Sequence, residues 1–212
     1  LRRHGADPRR RSAHRVAQSG LRNLSLGTTA LPVVIVLAAG LGERFRAAGG
    51  MQHKLDARLG PRSVKEHVLH AVRHSGLPWH VVEASHTAHL PMQGMGSSIA
   101  TGVRATAKAP GWLILPADLP LIQADTLQRV AQALQKHTVV VPVVQGQRGH
   151  PVGFGAPCAQ ALQQLSGDQG AKSVMQMHTP FGLPLDDIGC ILDVDTPEAL
   201  AQAQALWSKD AT

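Results

Sequence analysis

Short apolar runs alternate with amphipathic segments along most of the chain. The runs are rich in Val, Ile and Leu, which is typical of buried strands, and the amphipathic segments repeat apolar residues at helical spacing. The predicted strands are Val33–Leu37, Trp79–Ala84, Trp112–Leu115, Val139–Val144 and Cys190–Leu192, with a further short strand after the turn at Gly146. The predicted helices are Ser63–His74, Ser97 or Ser98 to about Ala107, Ala124–Lys136, Cys158–Leu165, Ser173–His178 and a last helix ending near Trp207.

This alternation of strand and helix predicts an α/β fold with a mostly parallel sheet that helices cover on both faces. Ligands of such sheets bind at the carboxyl ends of the strands. We therefore expect the chemistry in the loops that follow strands, at residues 38–54, 94–98, 116–120 and 193–196.

Residues 1–30 differ in composition from the rest, with seven arginines against one acid, Asp7. They show little periodicity, which predicts a disordered basic extension before a domain at residues 31–212. A transit peptide and an anion-binding arm are the alternatives for this extension. The other 182 residues hold 14 Lys and Arg against 13 acids, so the net charge of +7 lies mostly in the extension. Nucleic-acid binding is therefore not expected.

The cysteine content and the hydropathy predict the compartment. Cys158 and Cys190 form no metal-type cluster, so we expect buried free thiols in a reducing cytoplasm. No apolar run reaches the ~18 residues of a membrane span. The chain is therefore predicted to be cytoplasmic.

The first strand leads into a loop that contains Gly40 and Gly42, and two basic residues follow, Arg44 and Lys54. Glycines let backbone N–H groups approach an anion, and the cations neutralise its charge. The loop from Ala38 to about Leu59 is longer than ordinary connections, as functional loops often are. This stretch predicts a phosphate site.

Carboxylates follow two other strands. Asp118 comes after Trp112–Leu115 between two prolines, and Asp193 and Asp195 follow the last predicted strand. Cations and carboxylates at one sheet edge suit a nucleoside triphosphate with Mg²⁺, which takes one or two carboxylates together with phosphate oxygens. Ser97 and Ser98 sit in a glycine-flanked turn that feeds a helix, a second place for a polar or anionic ligand.

Taken together, the chain resembles the MobA-like nucleotidyltransferases, and within them the molybdenum cofactor cytidylyltransferase branch. The matching motifs occur in the family's order between residue 32 and about 206: LAAGLGERF at 37–45, KL at 54–55, GMGSS at 94–98, DLP at 118–120, RGHP at 148–151, GDQGAK at 167–172 and DVDTPE at 193–198. Two segments depart from the family pattern, a short connection from Val82 to Gly94 and the loop Arg46–His53.

The resemblance implies a Rossmann-like three-layer α/β/α nucleotidyltransferase fold. It also implies transfer of a nucleotide from a triphosphate to a phosphorylated acceptor with release of pyrophosphate. In the cytidylyltransferase branch the donor is CTP and the acceptor is a molybdenum-bound molybdopterin. Ala39 stands where the guanylyltransferase branch usually has Gly, which favours CTP over GTP. A molybdoenzyme or its maturation chaperone is the implied protein partner.

The resemblance also implies roles for individual residues. Arg44 would hold the β- and γ-phosphates and Lys54 would neutralise the α-phosphate, while Asp118 would bind Mg²⁺ with Asp195 or Asp193. The residues implied to frame the nucleotide are Leu37, Ala38, Ala39, Gly40, Gly42, Ser97 and Ser98. The residues implied to receive the acceptor are Arg148, His150 and Asp168.

Three alternatives stay open. The first is an NAD(P)-type oxidoreductase, although the third glycine of its fingerprint is Phe45 here, and Glu83 lies too far along the chain to be its ribose-binding acid. The second is a non-catalytic cofactor-binding module with the same fold. The third is a transferase that acts on another phosphorylated acceptor, such as a sugar phosphate.

Overall fold

A seven-stranded sheet runs through residues 30–210, which are the residues that the computed structural model describes, with Asp210 described by its backbone alone. The predicted basic extension at residues 1–30 lies outside the described residues except for Ala30. The strands of the sheet are β1 Val33–Ala38, β4 Trp79–Glu83, β5 Gly111–Pro116, β6 Val139–Val144, β7 Gln147–Arg148, β8 Val152–Gly155 and β9 Phe181–Pro184. Strands β2, Arg58–Leu59, and β3, Arg62–Ser63, form a separate hairpin.

The sheet is mixed but mostly parallel, as predicted. Its order is β4-β1-β5-β8-β6, with β7 and β9 both paired to β6. Strand β1 runs parallel to β4 and β5, β8 runs antiparallel to both β5 and β6, and β9 runs parallel to β6. Five of the seven strands therefore point the same way, and β7 and β8 oppose them. The carboxyl ends of β1, β4, β5 and β6 meet at one edge.

Helices cover both faces. The α-helices are α1 Glu43–Ala47, α2 Val64–His74, α3 Ala84–Thr87, α4 Met95–Ala105, α5 Ala124–Ala133, α6 Ala159–Gln163, α7 Lys172–Gln176 and α8 Pro197–Asp210. Side chains of α2, α5 and α8 join one buried cluster with Val34 and Val36, and side chains of α4, α6 and α7 join a second cluster with Ile35. Alternate residues of β1 thus face opposite layers, as the strand period of two requires. This is the predicted three-layer arrangement.

One predicted strand is wrong, and the strands that were not predicted include β2, β3 and β9. The apolar stretch Cys190–Leu192 forms no strand; a 3₁₀ turn at Ile188–Cys190 leads into it. The carboxylate of Asp187 accepts the N–H of Gly189 at 2.9 Å, and this bond curls the backbone away from an extended conformation. Strand β9 is short and exposed and contains glycine and proline, so it carries little of the usual strand signal.

The loop predicted from Ala38 to Leu59 holds more structure than expected. Helix α1 begins after Gly42, which has a left-handed backbone conformation with φ of 66°. The side chain of Phe45 on this helix is 3% exposed and packs in the core. A residue buried in this way anchors the loop beside β1.

None of the helices in residues 30–210 is long and apolar enough to cross a membrane.

Candidate active site

A cavity of about 760 Å³ opens at the carboxyl edge of the sheet, where the glycine loop after β1 meets the segments after β5 and before α8. Its volume lies within the range of small-ligand sites. The predicted site residues that line it are Leu37, Ala39, Gly40, Gly42, Arg44, Lys54, Ser98, Asp118, Arg148, His150, Asp168 and Asp195. Of the predicted residues, Ala38 and Ser97 do not line it.

Backbone hydrogen bonds bring the two acidic segments together. The N–H of Ala117 donates to the carbonyl of Leu37 at 3.0 Å, which places Asp118 just beyond the last bonds between β1 and β5. The N–H of Val194 donates to the carbonyl of Asp118 at 2.9 Å. This bond holds Asp195 next to Asp118 although 77 residues separate them in the sequence.

Lys54 lies between these two carboxylates. Its Nζ is 2.6 Å from Oδ2 of Asp118 and 2.5 Å from Oδ1 of Asp195. The Lys54 side chain is only 13% exposed, whereas Arg44, whose Nη1 is 3.1 Å from Oδ2 of Asp195, is 85% exposed. Asp195, and not Asp193, is therefore the carboxylate that shares a cation with Asp118.

The charges of this cluster stabilise one another. Burial acts to lower the pKa of Lys54, but the charges and hydrogen bonds of Asp118 and Asp195 outweigh it and raise the pKa above its usual value. Burial acts to raise the pKa of Asp195, but the hydrogen bonds and charges of Lys54 and Arg44 hold it below its usual range. At neutral pH the cluster consists of an ammonium ion, a guanidinium ion and ionised Asp195.

Two polar atoms in the cavity wall are buried and lack a hydrogen-bond partner among the described residues, Oδ1 of Asp118 and Nδ1 of His150. Burial is the main cause that lowers the pKa of His150, so its imidazole is neutral at physiological pH. Buried polar groups almost always have partners in folded proteins. These two atoms are therefore candidates for contact with a ligand.

The turn that carries Arg148 and His150 packs against the segment before Asp193. The N–H of His150 donates to the carbonyl of Cys190 at 2.9 Å, and the N–H of Gly149 donates to the carbonyl of Pro142 at 2.9 Å. A Cβ at Gly149 would lie 2.5 Å from the carbonyl oxygen of Cys190, so this close approach requires glycine. These contacts bring both predicted acceptor residues to the cavity.

The helix predicted to begin at Ser97 or Ser98 begins earlier, since α4 starts at Met95 and has Gly94, not a serine, at its N-cap. The hydroxyl of Ser97 donates to the carbonyl of Met92 and accepts the N–H of Gly167, and the hydroxyl of Ser98 donates to the carbonyl of Gly94. The N–H of Gly96 donates to the carbonyl of Gly167 at 2.8 Å. The hydroxyl of Ser97 and the N–H of Gly96 are thus bonded to the turn at Gly167, and the hydroxyl of Ser98 is bonded within its own helix start.

Asp168 belongs to that same turn. Its carboxylate lies against the Cα of Gly94, where any Cβ would collide with it. Asp168 therefore lies on the cavity wall beside the 94–98 turn, while Arg148 and His150 reach the cavity from the end of β7 and the turn that follows it. The three predicted acceptor residues approach the cavity from two different elements.

Several cavity residues were not predicted. Thr87, Gln93 and Met95 line the wall in and after the short connection from Val82 to Gly94. His53 does not line the cavity but contacts the glycine loop, with its Nε2 2.9 Å from the carbonyl oxygen of Gly40. The position of His53 directly before Lys54 was the one available signal for its involvement.

Comparison with known proteins finds one matching family model and a set of solved structures with the same fold. The family model described as MobA-like NTP transferase domain matches residues 34–181, which are 148 of the 212 residues. A search of curated protein sequences finds no significant match.

Solved structures share the fold at low sequence identity. Rv0371c from Mycobacterium tuberculosis is 22% identical, with a TM-score of 0.67 over 84% of this chain and 99% of that one, and has also been solved in complex with manganese. A Methanothermobacter nucleotidyl transferase is 18% identical, with a TM-score of 0.68 over 85% and 99% of the two chains. The molybdopterin-guanine dinucleotide biosynthesis protein A of Archaeoglobus fulgidus is 14% identical, with a TM-score of 0.60 over 84% and 99%.

Proposed function

The chain belongs to the MobA-like NTP transferase family, a family of nucleotidyltransferases, and on that premise we propose that it transfers CMP from CTP to a phosphorylated acceptor of the molybdopterin type. Pyrophosphate is the second product. The observation that carries the proposal is the convergence of Lys54 and Arg44 with Asp118 and Asp195 at the carboxyl edge of the sheet. Cations there bind phosphates, and carboxylates bind the divalent ion that accompanies them.

The residues fit a magnesium ion. Oδ1 of Asp118 is a buried oxygen without a partner among the described residues, and a carboxylate oxygen is the hard ligand that Mg²⁺ prefers. Asp195 supplies the second carboxylate. When bound, Mg²⁺ would neutralise charge on the phosphate oxygens. No group of three or more His, Cys, Asp or Glu side chains within residues 30–210 is arranged to hold a metal by itself.

In the proposed reaction a terminal phosphate oxygen of the acceptor attacks the α-phosphorus of CTP in line. A new P–O bond forms, the bond from the α-phosphorus to the bridging oxygen breaks, and pyrophosphate leaves with the bonding electrons. Catalysis of this kind depends on positioning and charge stabilisation. Lys54 binds the α-phosphate where negative charge develops, and the exposed Arg44 binds the β- and γ-phosphates.

The glycine loop and its neighbours are proposed to hold the nucleotide. A Cβ at Gly40 would meet no described atom within 4 Å, so there is open space for a ligand against the backbone. Leu37, Ala39, Gly42 and Ser98 line the same cavity, and Ala38 lies in the strand that supports the loop. Because the hydroxyl of Ser97 already bonds to Met92 and Gly167, we do not include this side chain among the nucleotide contacts.

The proposed choice of base and the proposed acceptor rest on single residues of the cavity wall. Ala39 lines the cavity and supports CTP over GTP, since the guanylyltransferase branch usually has Gly at this position. Arg148 supplies an exposed cation for an acceptor phosphate, and the free Nδ1 of His150 supplies a polar contact beside it. The Archaeoglobus protein with the same fold is named for molybdopterin-guanine dinucleotide biosynthesis, which supports an acceptor of this type. A molybdoenzyme or its maturation chaperone is the proposed recipient of the product.

A thermal-shift panel followed by a pyrophosphate assay tests the proposal. We expect CTP with Mg²⁺ to raise the melting temperature more than GTP, and NAD(P) to leave it unchanged. Pyrophosphate should form from CTP and a molybdopterin acceptor, and Asp118→Ala should abolish it. Asp125→Ala, at an exposed carboxylate on α5, is the matched control and should keep full activity. If no nucleoside triphosphate stabilises the protein, the proposal is wrong.

A further inference from the structure

The two cations that face Asp118 and Asp195 are each bound to a carboxylate of the protein itself. Lys54 contacts one oxygen of Asp118 and one of Asp195, and Arg44 contacts the second oxygen of Asp195. Both oxygens of Asp195 are therefore occupied, and of the four carboxylate oxygens of Asp118 and Asp195 only Oδ1 of Asp118 has no hydrogen-bond partner among the described residues. The phosphate-binding and metal-binding groups of the proposed function neutralise each other.

This pairing has a consequence for metal binding. The ammonium group lies where the two carboxylates converge, which is also where a divalent ion would have to bind both. An ammonium and a divalent cation repel each other strongly at such short distances, above all in a poorly solvated site. The 13% exposure of Lys54 leaves it little freedom to avoid an ion at that position.

We propose that Lys54 is the resident counter-ion of the nucleotide-free site and excludes free divalent ions from it. This inference rests on the proposed function. The metal enters together with the triphosphate, whose oxygens give Lys54 and Arg44 new anionic partners and so release the oxygens of Asp195.

Arg44 and Lys54 differ in how readily they can separate from their carboxylate partners. Arg44 is 85% exposed, and exposed ion pairs exchange with water at little cost. Lys54 is held by two carboxylates and loses both only when phosphate oxygens replace them. Arg44 therefore meets the incoming triphosphate first, and the displacement of Lys54 frees the metal ligands. Because binding free energies are reciprocal, bound nucleotide must raise the affinity for metal as much as metal raises the affinity for nucleotide.

Manganese binding in the absence of nucleotide tests the exclusion directly. The free Mn²⁺ signal in electron paramagnetic resonance gives the affinity of the wild type and of Lys54→Met. We expect Lys54→Met to bind Mn²⁺ at least about tenfold more tightly than the wild type, because the competing charge is gone. Lys65→Met is the matched control: Lys65 pairs with Glu83 at 3.3 Å outside the cavity, so the same change in net charge should leave Mn²⁺ affinity unaltered.

Further measurements keep the test decisive if Lys54→Met folds poorly. Arg44→Met frees Oδ2 of Asp195 at an exposed position and should raise Mn²⁺ affinity about threefold. In the wild type, an unreactive CTP analogue should raise Mn²⁺ affinity at least about tenfold after correction for binding to the free analogue. Adding Asp118→Asn to Lys54→Met should remove the gain.

The outcomes separate the two proposals. If the wild type binds the CTP analogue but binds Mn²⁺ equally well with and without it, Lys54 does not exclude metal and only this inference is overturned. If Lys54→Met and Lys65→Met bind Mn²⁺ alike, the inference is also overturned. If the wild type binds no nucleotide at all, both the proposed function and this inference are overturned.

Discussion

The imidazole of His53 donates a hydrogen bond to the carbonyl of Gly40, with Nε2 2.9 Å from the oxygen. The direction of this bond follows from the other ring nitrogen. Nδ1 lies 3.3 Å from the backbone nitrogen of Leu55, and a backbone N–H can only donate, so Nδ1 is the acceptor and the neutral ring carries its proton on Nε2. His53 therefore connects the glycine loop to the turn that carries Lys54.

His53→Ala should weaken nucleotide binding without preventing folding. Both of the ring's hydrogen bonds fix the path of the loop, and their loss should reduce affinity for CTP with Mg²⁺ about tenfold, or ~1.4 kcal/mol. Titration calorimetry measures this change. His89→Ala removes an exposed imidazole outside the cavity and should bind normally. Equal affinity in the two variants would show that the loop holds its position without His53.

Gly40, which lines the cavity, and Gly96, which lies beside it in α4, should respond to alanine in different ways. A Cβ at Gly96 would collide with the carbonyl oxygen of Gln169, which is backbone and cannot easily move, so Gly96→Ala should cost about 2 kcal/mol of unfolding free energy. A Cβ at Gly40 meets no described atom within 4 Å, so Gly40→Ala should leave the unfolding free energy within about 0.5 kcal/mol of the wild type. The methyl group at Gly40 should instead weaken nucleotide binding about tenfold, since it fills space proposed for the ligand. Urea denaturation and calorimetry on both variants distinguish the two effects; a Gly40→Ala variant that binds normally would contradict the proposed loop contact.

The elements with strong local patterns were predictable from the sequence. The mostly β-branched run at residues 33–38 has side chains that alternate between two cores, and the observed strand ends one residue later than predicted. Helix α2 begins with Ser63 as N-cap and Glu66 completing a capping box, a pattern that can be read from the sequence alone. The Thr-Pro pair at residues 196–197 is a similar local signal for a helix start, and the hydroxyl of Thr196 accepts the N–H of Ala199 at 3.2 Å.

The features that the sequence did not predict depend on contacts between distant residues. Gly167 lies 70 residues from Ser97 and bonds to its backbone and hydroxyl, and nothing near GMGSS in the sequence indicates this contact. The pairing of Asp195 with Lys54 spans 141 residues. Composition and spacing could place both residues at one sheet edge, but only the packed structure shows that they form an ion pair.

Asp187 should be essential for stability although it lies outside the cavity. Its carboxylate is 6% exposed and accepts three hydrogen bonds, from the N–H of Gln123 at 3.0 Å, the hydroxyl of Thr126 at 2.6 Å and the N–H of Gly189 at 2.9 Å. The first two satisfy donors at the start of α5, which Gln123 leaves without a side-chain cap. Asp187→Ala should therefore cost about 3 kcal/mol of unfolding free energy.

Two further variants test that assignment. Asp187→Asn keeps one acceptor oxygen for α5 and loses the bond to Gly189, so it should cost about half as much as Asp187→Ala. Asp186→Ala changes the exposed neighbour and should be neutral within about 0.5 kcal/mol. Urea unfolding monitored by circular dichroism measures all three. Similar costs for the two Asp187 variants would show that charge, and not the number of acceptors, holds α5 in place.

The thiol of Cys190 should be unreactive in the folded protein. It should also lower the free energy of unfolding as the pH becomes alkaline. Burial first, and then the negative charge of Asp187, raises the pKa of this thiol to about 12 from an ordinary value of 9.0. The raised value means that the folded state favours the protonated form. The corresponding stability is present in full below pH 9 and is lost as pH rises from about 9 towards 12, because the unfolded thiol ionises first.

Pulsed alkylation with iodoacetamide at pH 8, read by mass spectrometry, checks this. The reagent attacks the thiolate, so native Cys190 should be labelled at least about a hundredfold more slowly than the same thiol in urea-unfolded protein. Cys158 is also fully buried and its pKa is raised by burial, so it should be protected alongside Cys190 in the native protein and labelled with it on unfolding. Rapid labelling of Cys190 alone in native protein would mean that the 3₁₀ turn at Ile188–Cys190 opens independently of the core, and that the wall that holds His150 against the cavity is not rigid.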